Sequence, residues 1–442
     1  MNNVIIIGGG LAGCEAAWQA VKQNCRVTLY EMRPQLYSPA HNSSLLAELV
    51  CSNSFRSDAT NSAVGLLKEE MSQLDSLVMQ TARETAVPAG KALAVDREKF
   101  AAKITQTIEK HPLIDLKRQE LRQIPPPSEA IIILATGPLT SDTMSDSLIQ
   151  LTGKKRLAFY DAIAPIVYAD SLDMEIVYAK SRYEEGPGDY LNCPMDHEQY
   201  NNFITQLANG DYVPLKEFED PKYFEGCLPI EVMRARGDET LRFGPMKPVG
   251  LPDPRTGKVP HAVVQLRKEN LSASLYNMVG FQTKLTYGEQ KRVFRLIPGM
   301  EKVKFARLGS IHRNTFVCAP ELLLPTLQVA SRPDLLLAGQ LAGVEGYVES
   351  AAMGILAGIN GSRMALGQKP VTPPRNTAMG ALINHLTQTD PKHFQPSNVN
   401  FGLFPPWEKK VPKKLRGHQR AETALASLTV WQENELLQPA SQ

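Results

Sequence analysis

The pattern of apolar and polar residues at the start of the chain predicts a strand, a helix and a second strand in close succession. Asn3–Ile7 is a short apolar run typical of a buried strand. Leu11–Lys22 is predicted to be a helix, and Arg26–Tyr30 a second strand that ends at Glu31. Two strands joined by a helix in this order are the unit of a parallel, doubly wound sheet.

The turn between the first strand and the helix has the sequence GGGLAG, with Gly8, Gly10 and Gly13 in G-x-G-x-x-G order. Such glycines allow a tight turn and a close approach to a pyrophosphate, and the helix start offers N–H groups to the phosphates. Glu31 follows Gly13 by 18 residues, which suits a hydrogen bond from a ribose. We therefore predict a dinucleotide site rather than a glycine-rich turn without a ligand. Its predicted residues are Gly8, Gly9, Gly10, Leu11, Ala12, Gly13 and Glu31.

Two later segments favour FAD as the dinucleotide. Ala130–Gly137 is an apolar strand pattern that ends in Thr-Gly, and Asp334–Gly358 has a strand pattern, a glycine turn and a helix of small residues. Flavoproteins close over their cofactor with a C-terminal piece of this kind, and many carry Gly-Asp at its turn. This chain has Gly339-Gln340 instead, so the usual acidic contact is replaced. We predict that Gly137, Gly339 and Gln340 contact FAD.

The segment CSNSFRSDATNS, residues 51–62, is predicted to be a polar loop that leads into a helix. Asn61 or Ser62 would be the N-cap of that helix. The helix is predicted from apolar residues three and four positions apart, namely Val64, Leu67, Met71, Leu74 and Val78.

The dinucleotide-binding pattern is interrupted between Tyr160 and about Gln290 and then resumes. Within this block, Glu175–Tyr178 and Ala262–Leu266 are strand-like and His197–Leu207 is helical. The fold class predicted is α/β, a Rossmann-like FAD-binding domain with an inserted smaller α/β domain. The FAD-binding domain would comprise residues 1–160 and 295–442, and the insertion residues 161–294.

Composition narrows the class of protein further. Apolar residues make up 43% of 442 residues, and 48 basic against 46 acidic residues give a net charge of +2. The start has no basic region before its apolar run, and no run approaches about 18 apolar residues, so neither a signal peptide nor a membrane span is predicted. Six cysteines without a zinc spacing predict reduced thiols in a cytoplasmic protein with no bound metal. The basic run Trp407–Arg420 is either solvated surface or an RNA contact.

Two of the cysteines lie close to arginine residues in the sequence. Cys51 lies five residues before Arg56 in the polar segment. Cys227 opens the segment CLPIEVMRARGDETLRFGPMKPVGL, in which Arg234 and Arg236 alternate with turn residues. Basic residues interleaved with turns suit a phosphate-bearing partner. A surface hairpin with ordinary charges explains the same pattern equally well.

Several segments, in chain order, carry a resemblance to one known family: GGGLAGCEAA, ELVCSNSFRSDATNSAVGLLKEEM, EGCLPIEVMRARG, LRFGPMKPVGL, YNMVGFQTKLTYGEQKRVFRLIPG, HRNTFVCAPELL, AGQLAGVEGYVESAAMGILAGIN and NFGLFPPW. Together they resemble the bacterial folate- and FAD-dependent tRNA (uracil-5-)-methyltransferases over nearly the whole chain. A larger flavoprotein that modifies the tRNA wobble uridine is similar at its opening, but it carries an extra C-terminal helical region for which this chain is too short.

The resemblance implies a three-part reaction. The methylene group of 5,10-methylenetetrahydrofolate would reach carbon 5 of the T-loop uridine of tRNA by way of reduced FAD. It would then be reduced to methyl, with NAD(P)H as the reductant that resets the flavin. Folate, NAD(P)H and tRNA are thus the expected partners, and the oligomeric state stays open.

The resemblance also assigns candidate residues. The two functional cysteines of the family map onto Cys51 and Cys227. Our hypothesis is that Cys227 adds to carbon 6 of uracil and that Cys51 is the base or protects the flavin adduct, although the roles could be exchanged. His312 would stack on the pterin, with a hydrogen-bonded structural histidine as the alternative, and Arg56, Arg234 and Arg236 are candidate contacts to folate or tRNA. The remaining cysteines are predicted to be structural: Cys14, Cys25, Cys193 and Cys318.

Two other functions share the dinucleotide signature. One is an FAD-dependent NAD(P)H oxidase or dehydrogenase with a small substrate, which would not need paired cysteine motifs or basic segments. The other is a flavin-bearing RNA-binding protein without chemistry. Label from methylenetetrahydrofolate in tRNA, NADPH consumption without label, and tRNA retention with neither would separate the three.

Overall fold

The computed structural model describes residues 2–127, 130–153, 157–183, 186, 188–214, 223, 228–407 and 410–436. In chain order its strands are β1 (Asn3–Ile7), β2 (Arg26–Tyr30), β3 (Ser54–Ser57), β4 (Ala86–Val87), β5 (Ala92–Val95), β6 (Ile114–Lys117), β7 (Ile131–Leu134), β8 (Leu157–Ile163), β9 (Ile166–Tyr168), β10 (Tyr178–Ala179), β11 (Tyr190–Met195), β12 (Ala262–Lys268), β13 (Leu275–Met278), β14 (Phe305–Arg307), β15 (Ser310–Phe316), β16 (Gln328–Val329) and β17 (Arg332–Leu337). The helices are α1 (Leu11–Lys22), α2 (Ala63–Gln73), α3 (Leu77–Glu84), α4 (Arg97–Lys110), α5 (Asp142–Thr152), α6 (His197–Ala208), α7 (Ile230–Ala235), α8 (Thr240–Phe243), α9 (Tyr287–Phe294), α10 (Ala319–Leu322), α11 (Tyr347–Ala365), α12 (Ala378–Gln388) and α13 (Arg416–Trp431).

A parallel sheet organises the N- and C-terminal parts of the chain. Its strand order is β16-β17-β7-β1-β2-β6, and only the β16–β17 edge pair is antiparallel. β1 lies in the centre, because it pairs with β2 on one side and with β7 on the other. This arrangement confirms the predicted Rossmann-like class, since consecutive parallel strands joined by helices wind on both faces of one sheet.

Helices α1 and α11 pack against each other very closely over this sheet. Gly354 and Gly358 of α11 face the α1 backbone, and a Cβ at these positions would lie 2.3 Å from the Ala12 oxygen and 2.6 Å from the Ala16 oxygen. The predicted helix of small residues therefore serves to bring two helix backbones together. The starts of both helices consequently lie at the same edge of the sheet.

A second core forms around an antiparallel sheet. The strand order is β10-β11-β12-β13-β9-β14, and helices α6, α7 and α9 contribute apolar residues to its core. Buried residues of this core extend from Val167 to Val303. Strand β14, which follows α9, still belongs to the antiparallel sheet. The domain boundaries at 160/161 and 294/295 stay a prediction.

The chain passes twice between the two cores, and the passing strands pair with each other. β8 leads out of the parallel sheet and β15 leads back, and the two form an antiparallel ribbon from Leu157 opposite Phe316 to Ile163 opposite Ser310. Asp161 and His312 lie opposite each other on this ribbon.

Three local predictions were wrong. The helix predicted through Val78 ends at Gln73, because Asp75 has a φ of +55° and Ser76 caps a new helix, α3. The segment 51–62 is not all loop, since it contains strand β3. The predicted strand Glu175–Tyr178 is a turn, and only its last residue enters β10. In the part of the chain that the structure describes, no helix is both long enough and apolar enough to span a membrane.

Candidate active site

A cleft of about 1060 Å³ opens at the carboxyl edge of the parallel sheet. The predicted cofactor residues that line it are Gly8, Gly9, Gly10, Leu11, Ala12, Glu31, Gly137, Gly339 and Gln340. We call it the first cavity. Ligands bind in open α/β sheets at this edge. Gly13 does not line the first cavity, so its role lies in packing.

The three motif glycines have different physical tasks. Gly8 has a φ of +108° and passes over the end of β7, where a Cβ would lie 2.4 Å from the Ala135 oxygen. A Cβ on Gly13 would lie 1.8 Å from the Gly8 oxygen, so this position sets how closely α1 approaches β1. A Cβ on Gly10 would meet nothing within 4 Å and would project into the open first cavity. Gly10 therefore leaves room for a ligand at the start of α1, where N–H groups of the first turn have no acceptor within the helix.

Glu31 lies at the end of β2 and holds the glycine turn in place. Its Oε2 accepts the Gly9 N–H at 2.9 Å, and its Oε1 accepts the backbone N–H and the Nε of Arg33 at 3.0 and 2.9 Å. Burial alone would raise the pKa of Glu31, but the hydrogen bonds and charge of Arg33 lower it below its ordinary value. Glu31 is therefore ionised, and Oε2 retains a lone pair for a ribose hydroxyl.

Gln340 connects the first cavity to a second one. The second cavity holds about 1220 Å³, and Cys51, Arg56, His312, Glu345 and Gln340 are among the residues that line it. Val50, Pro138, Leu139, Gln340 and Tyr347 line both cavities. A group bound at the end of the first cavity would thus face the side chains of the second.

Cys51 is held at the start of α11. The Tyr347 hydroxyl accepts the backbone N–H groups of Cys51 and Ser52 at 2.7 and 3.1 Å. The Cys51 Sγ lies 3.9 Å from the Ala162 oxygen on β8. The helix that begins beside Cys51 is therefore α11, whose first residue is Tyr347.

Positive charge surrounds Cys51 from several elements. Arg97 on α4, Arg267 on β12 and Arg307 on β14 all interact electrostatically with the Cys51 thiol. Arg267 is also fixed through its Nη2, which donates to Ser52 Oγ at 2.7 Å. Arg97 is at the same time paired with Glu269 at 3.0 Å, so its position beside Cys51 is fixed from a second side.

Arg56 lines the second cavity but is committed to a partner within the protein. Its guanidinium forms an ion pair with the fully buried Glu349 of α11, and its φ is +64°. The same Glu349 oxygen accepts the Val399 N–H at 2.9 Å. Arg56 therefore orders the wall of the second cavity, and its role toward a substrate stays a prediction.

Glu345 is a buried carboxyl group in the wall of the second cavity. Its Oε2 accepts a hydrogen bond from Gln340 Nε2 at 2.8 Å. Burial, together with the neighbouring Asp161, raises the pKa of Glu345 well above its ordinary value. A neutral carboxyl group can donate a hydrogen bond as well as accept one, so Glu345 is a candidate proton donor beside Cys51.

His312 projects from β15 into the second cavity. Its Nε2 is 2.8 Å from Ser310 Oγ, and burial together with the Arg307 charge lowers its pKa to about 4. The imidazole is therefore neutral near pH 7. A neutral aromatic ring in this wall is compatible with stacking on a flat ligand, and that role stays a prediction.

Cys227 lies outside the described residues. The described chain resumes at Leu228. Two residues later, the Ile230 N–H donates to the backbone oxygen of Gln282, which lies in the wall of the second cavity. Arg234 forms an ion pair with Asp238 at 3.0 Å. Arg236 follows at the end of α7 and is exposed. The four cysteines predicted to be structural are all buried, namely Cys14, Cys25, Cys193 and Cys318.

Sequence reasoning missed several residues that shape the site. Glu345 and Tyr347 lie within the segment VEGYVES, which was recognised for its helix but not for its side chains. Arg33 comes directly before a proline and looked like an ordinary surface residue, yet it is 1% exposed. Arg267 directly follows the predicted strand Ala262–Leu266, and a charged residue at the end of an apolar strand was the signal that could have revealed the wall of the second cavity.

Comparisons with known proteins agree with this geometry. Residues 3–369 match the family model described as glucose inhibited division protein A. A methylenetetrahydrofolate--tRNA-(uracil-5-)-methyltransferase TrmFO of Desulfotalea psychrophila is 66% identical over 98% of both chains. The enzyme of the same name from Geobacter sulfurreducens is 58% identical over 97% of this chain and 98% of its own.

Among solved structures, the form II crystal of Aquifex aeolicus GidA matches with a TM-score of 0.71 and 18% identity. The match covers 98% of this chain and 73% of that chain. The form I crystal of the same protein gives a TM-score of 0.68 and 17% identity. At these identities the likeness establishes the fold.

Proposed function

Because this chain belongs to the glucose inhibited division protein A family, and within it to the methylenetetrahydrofolate--tRNA-(uracil-5-)-methyltransferases, we propose that it methylates carbon 5 of the T-loop uridine of tRNA. The observation that supports the proposal is the junction of the two cavities, where the cavity lined by the glycine turn and Glu31 meets the one lined by Cys51 and Arg267. The methyl carbon would come from 5,10-methylenetetrahydrofolate, and NAD(P)H would be the reductant. With tRNA as substrate, we place the reaction in the cytoplasm.

The chain's own residues fit FAD in the first cavity. The open space beside Gly10 and the first turn of α1 would hold the pyrophosphate, and Glu31 would accept a ribose hydroxyl. Gly339 and Gln340 would contact the end of the cofactor that faces the second cavity. When bound, FAD supplies the chemistry that carries a one-carbon group and reduces it to methyl.

Two thiols account for the activation of the uridine. Carbon 5 of uracil is a poor nucleophile, and addition of a thiolate to carbon 6 makes it an enolate whose carbon 5 can attack. We assign this addition to Cys227, whose segment leads directly to the wall of the second cavity at Ile230 and Gln282. After carbon 5 has formed its new bond, a base removes its proton and the bond between sulfur and carbon 6 breaks. We assign the base, or a guard of the cofactor, to Cys51.

His312 is the proposed contact for the pterin. Its ring lines the second cavity and is neutral near pH 7, so it can stack without introducing a charge. We expect His312→Ala to weaken folate affinity and His312→Phe to retain it. Equal folate affinity for His312→Ala and the wild type would remove the stacking role.

Cysteine variants test the separate roles assigned to Cys51 and Cys227. Cys51→Ala should retain FAD and lose methyl transfer, and Cys227→Ser should lose methyl transfer to an unmodified tRNA transcript. Cys318→Ala is the matched control, because Cys318 is buried away from both cavities. Near-normal methylation by Cys227→Ser, or full activity of Cys51→Ala, would refute the corresponding assignment. The reductant is tested by supplying NADH or NADPH in turn, and methyl transfer with neither would exclude it.

A further inference from the structure

Phe243 is the most exposed large apolar side chain among the described residues, at 81%. It is the last residue of α8 and precedes Gly244 and Pro245. Burying a phenylalanine contributes about 1.5–3 kcal/mol, so one that remains in water adds little to the fold. The exposed ring is therefore available for contact with a partner.

A rigid turn holds Phe243 in this outward position. Leu241 and Met246 on either side are fully buried in the second core, and the Met246 N–H donates to the Leu241 oxygen at 2.8 Å. Arg182 Nη2 also donates to the oxygen of Lys247 at 2.6 Å. We call residues 240–247 the Phe243 turn. A backbone fixed in this way keeps the position of the Phe243 Cα constant, so little backbone entropy is lost on binding.

The Phe243 turn borders the second cavity. Pro245 packs against Gly280, where a Cβ would lie 2.7 Å from the Pro245 Cβ. Gly280 lines the second cavity together with Gln282. The backbone oxygen of Gln282 accepts a hydrogen bond from the Ile230 N–H at the start of α7. The Phe243 turn therefore lies beside the wall of the second cavity, where an RNA loop that delivers one base to that cavity could contact it.

The segment that contains Phe243 has an excess of positive charge, because Arg234 and Arg242 are paired with Asp238 and Glu239, and Arg236 and Lys247 add two further cations. Lys247 forms no ion pair with any described residue, and Arg236 at the end of α7 is exposed. Aromatic side chains that stack on unpaired bases, flanked by cations for the phosphates, are the usual means of binding single-stranded nucleic acid. A partner protein with an apolar patch would not need a lysine four residues from Phe243 that pairs with no described carboxylate.

We propose that Phe243 is a stacking platform for an unpaired base of the tRNA loop that enters the second cavity, with Lys247 as a neighbouring phosphate contact. This inference rests on the proposed tRNA substrate and specifies where the protein holds it.

The test measures binding of an unmodified tRNA transcript at several salt concentrations. F243A should weaken binding about 5- to 150-fold at each concentration without changing the salt dependence, because stacking involves no ion release. F243W should restore binding, and K247Q should reduce the slope of log K against log salt by about one. The matched control is Y287A, since Tyr287 is 60% exposed and lines neither cavity. A transcript with 2-aminopurine in the T-loop should lose fluorescence on binding to the wild type and not to F243A.

Binding of F243A within twofold of the wild type would overturn the inference. So would a loss of binding that F243W does not restore, or that accompanies a change in the protein's oligomeric state. A wild-type chain that binds and methylates the transcript while F243A behaves identically overturns only the stacking role. A wild-type chain that binds the transcript but transfers no methyl group overturns the proposed function. The stacking role is then still decided by the relative affinities of the wild type, F243A and F243W for the transcript.

Discussion

Two glycine substitutions in one motif should separate folding from cofactor binding. Gly10→Ala and Gly13→Ala add the same methyl group three residues apart, but into different surroundings. At Gly13 the new Cβ would lie 1.8 Å from the Gly8 backbone oxygen, whereas at Gly10 it would meet nothing within 4 Å. The first substitution therefore disturbs the protein itself, and the second occupies space reserved for a ligand.

The magnitudes follow from these contacts. Gly13→Ala must push the α1 backbone from the Gly8 turn by about 1 Å, and such overpacking costs about 1–3 kcal/mol. Gly10 has a φ of −77°, which alanine adopts freely, so its replacement costs below about 1 kcal/mol through the helix N-cap. If the added methyl removes one charge-assisted hydrogen bond to the pyrophosphate, FAD binding weakens by about 1.5–3 kcal/mol, or roughly 10- to 150-fold.

The assay compares the thermal midpoint of the flavin-free protein with the dissociation constant for FAD. Gly13→Ala should lower both the midpoint and the affinity, and Gly10→Ala should lower the affinity alone. Gly288→Ala is the matched control, because a Cβ at this helical glycine meets no atom within 4 Å and Gly288 lies in neither cavity. Wild-type FAD affinity in Gly10→Ala would show that the pyrophosphate does not lie at the start of α1, and the assignment of the first cavity would be wrong.

Three further substitutions test other parts of the structure. Gly358→Ala places a Cβ 2.6 Å from the α1 backbone and should destabilise the flavin-free protein by about 1–3 kcal/mol, as a lower thermal midpoint than that of Gly288→Ala. Burial raises the pKa of Glu345, so the folded state retains this proton to higher pH than the unfolded state. The free energy of unfolding of the wild type should therefore fall relative to that of Glu345→Gln as pH rises from about 4.5 through the raised pKa. Parallel curves of unfolding free energy against pH for the two proteins would contradict this. Tyr347→Phe removes the acceptor of two backbone N–H groups, so amide hydrogen exchange at Cys51 should accelerate as about 1–3 kcal/mol of local stability is lost, and unchanged exchange would argue against the contact.

The parallel sheet could be predicted from sequence because its signals are local. β1, α1 and β2 have the boundaries that the apolar pattern indicated, since each fits one short run between turn residues. The break between α2 and α3 could not be predicted in this way. It depends on Glu15, whose buried carboxylate accepts the N–H groups of Leu77 and Val78 from a distant part of the chain. Apolar spacing continues across that break and carries no sign of it.

In the candidate site, too, the local motifs could be predicted from sequence and the contacts between distant segments could not. Gly8, Gly10 and Glu31 lie within 24 residues of one another, so the sequence alone grouped them, and all three line the first cavity. The wall of the second cavity is assembled from β8, β12, β15 and the start of α11, which only the fold brings together. Tyr347 meets the Cys51 loop across 296 positions of sequence, and no spacing within either segment indicates that contact.

The reaction proposed for this chain moves a one-carbon group from folate to carbon 5 of the T-loop uridine. Its most direct test incubates the FAD-loaded protein with an unmodified tRNA transcript, NADPH and 5,10-methylenetetrahydrofolate deuterated at the methylene carbon. Mass spectrometry of the digested T-loop should show 5-methyluridine that retains both deuterium atoms of the donor. Methylation without deuterium, or none by a protein that binds both FAD and the transcript, would contradict the account.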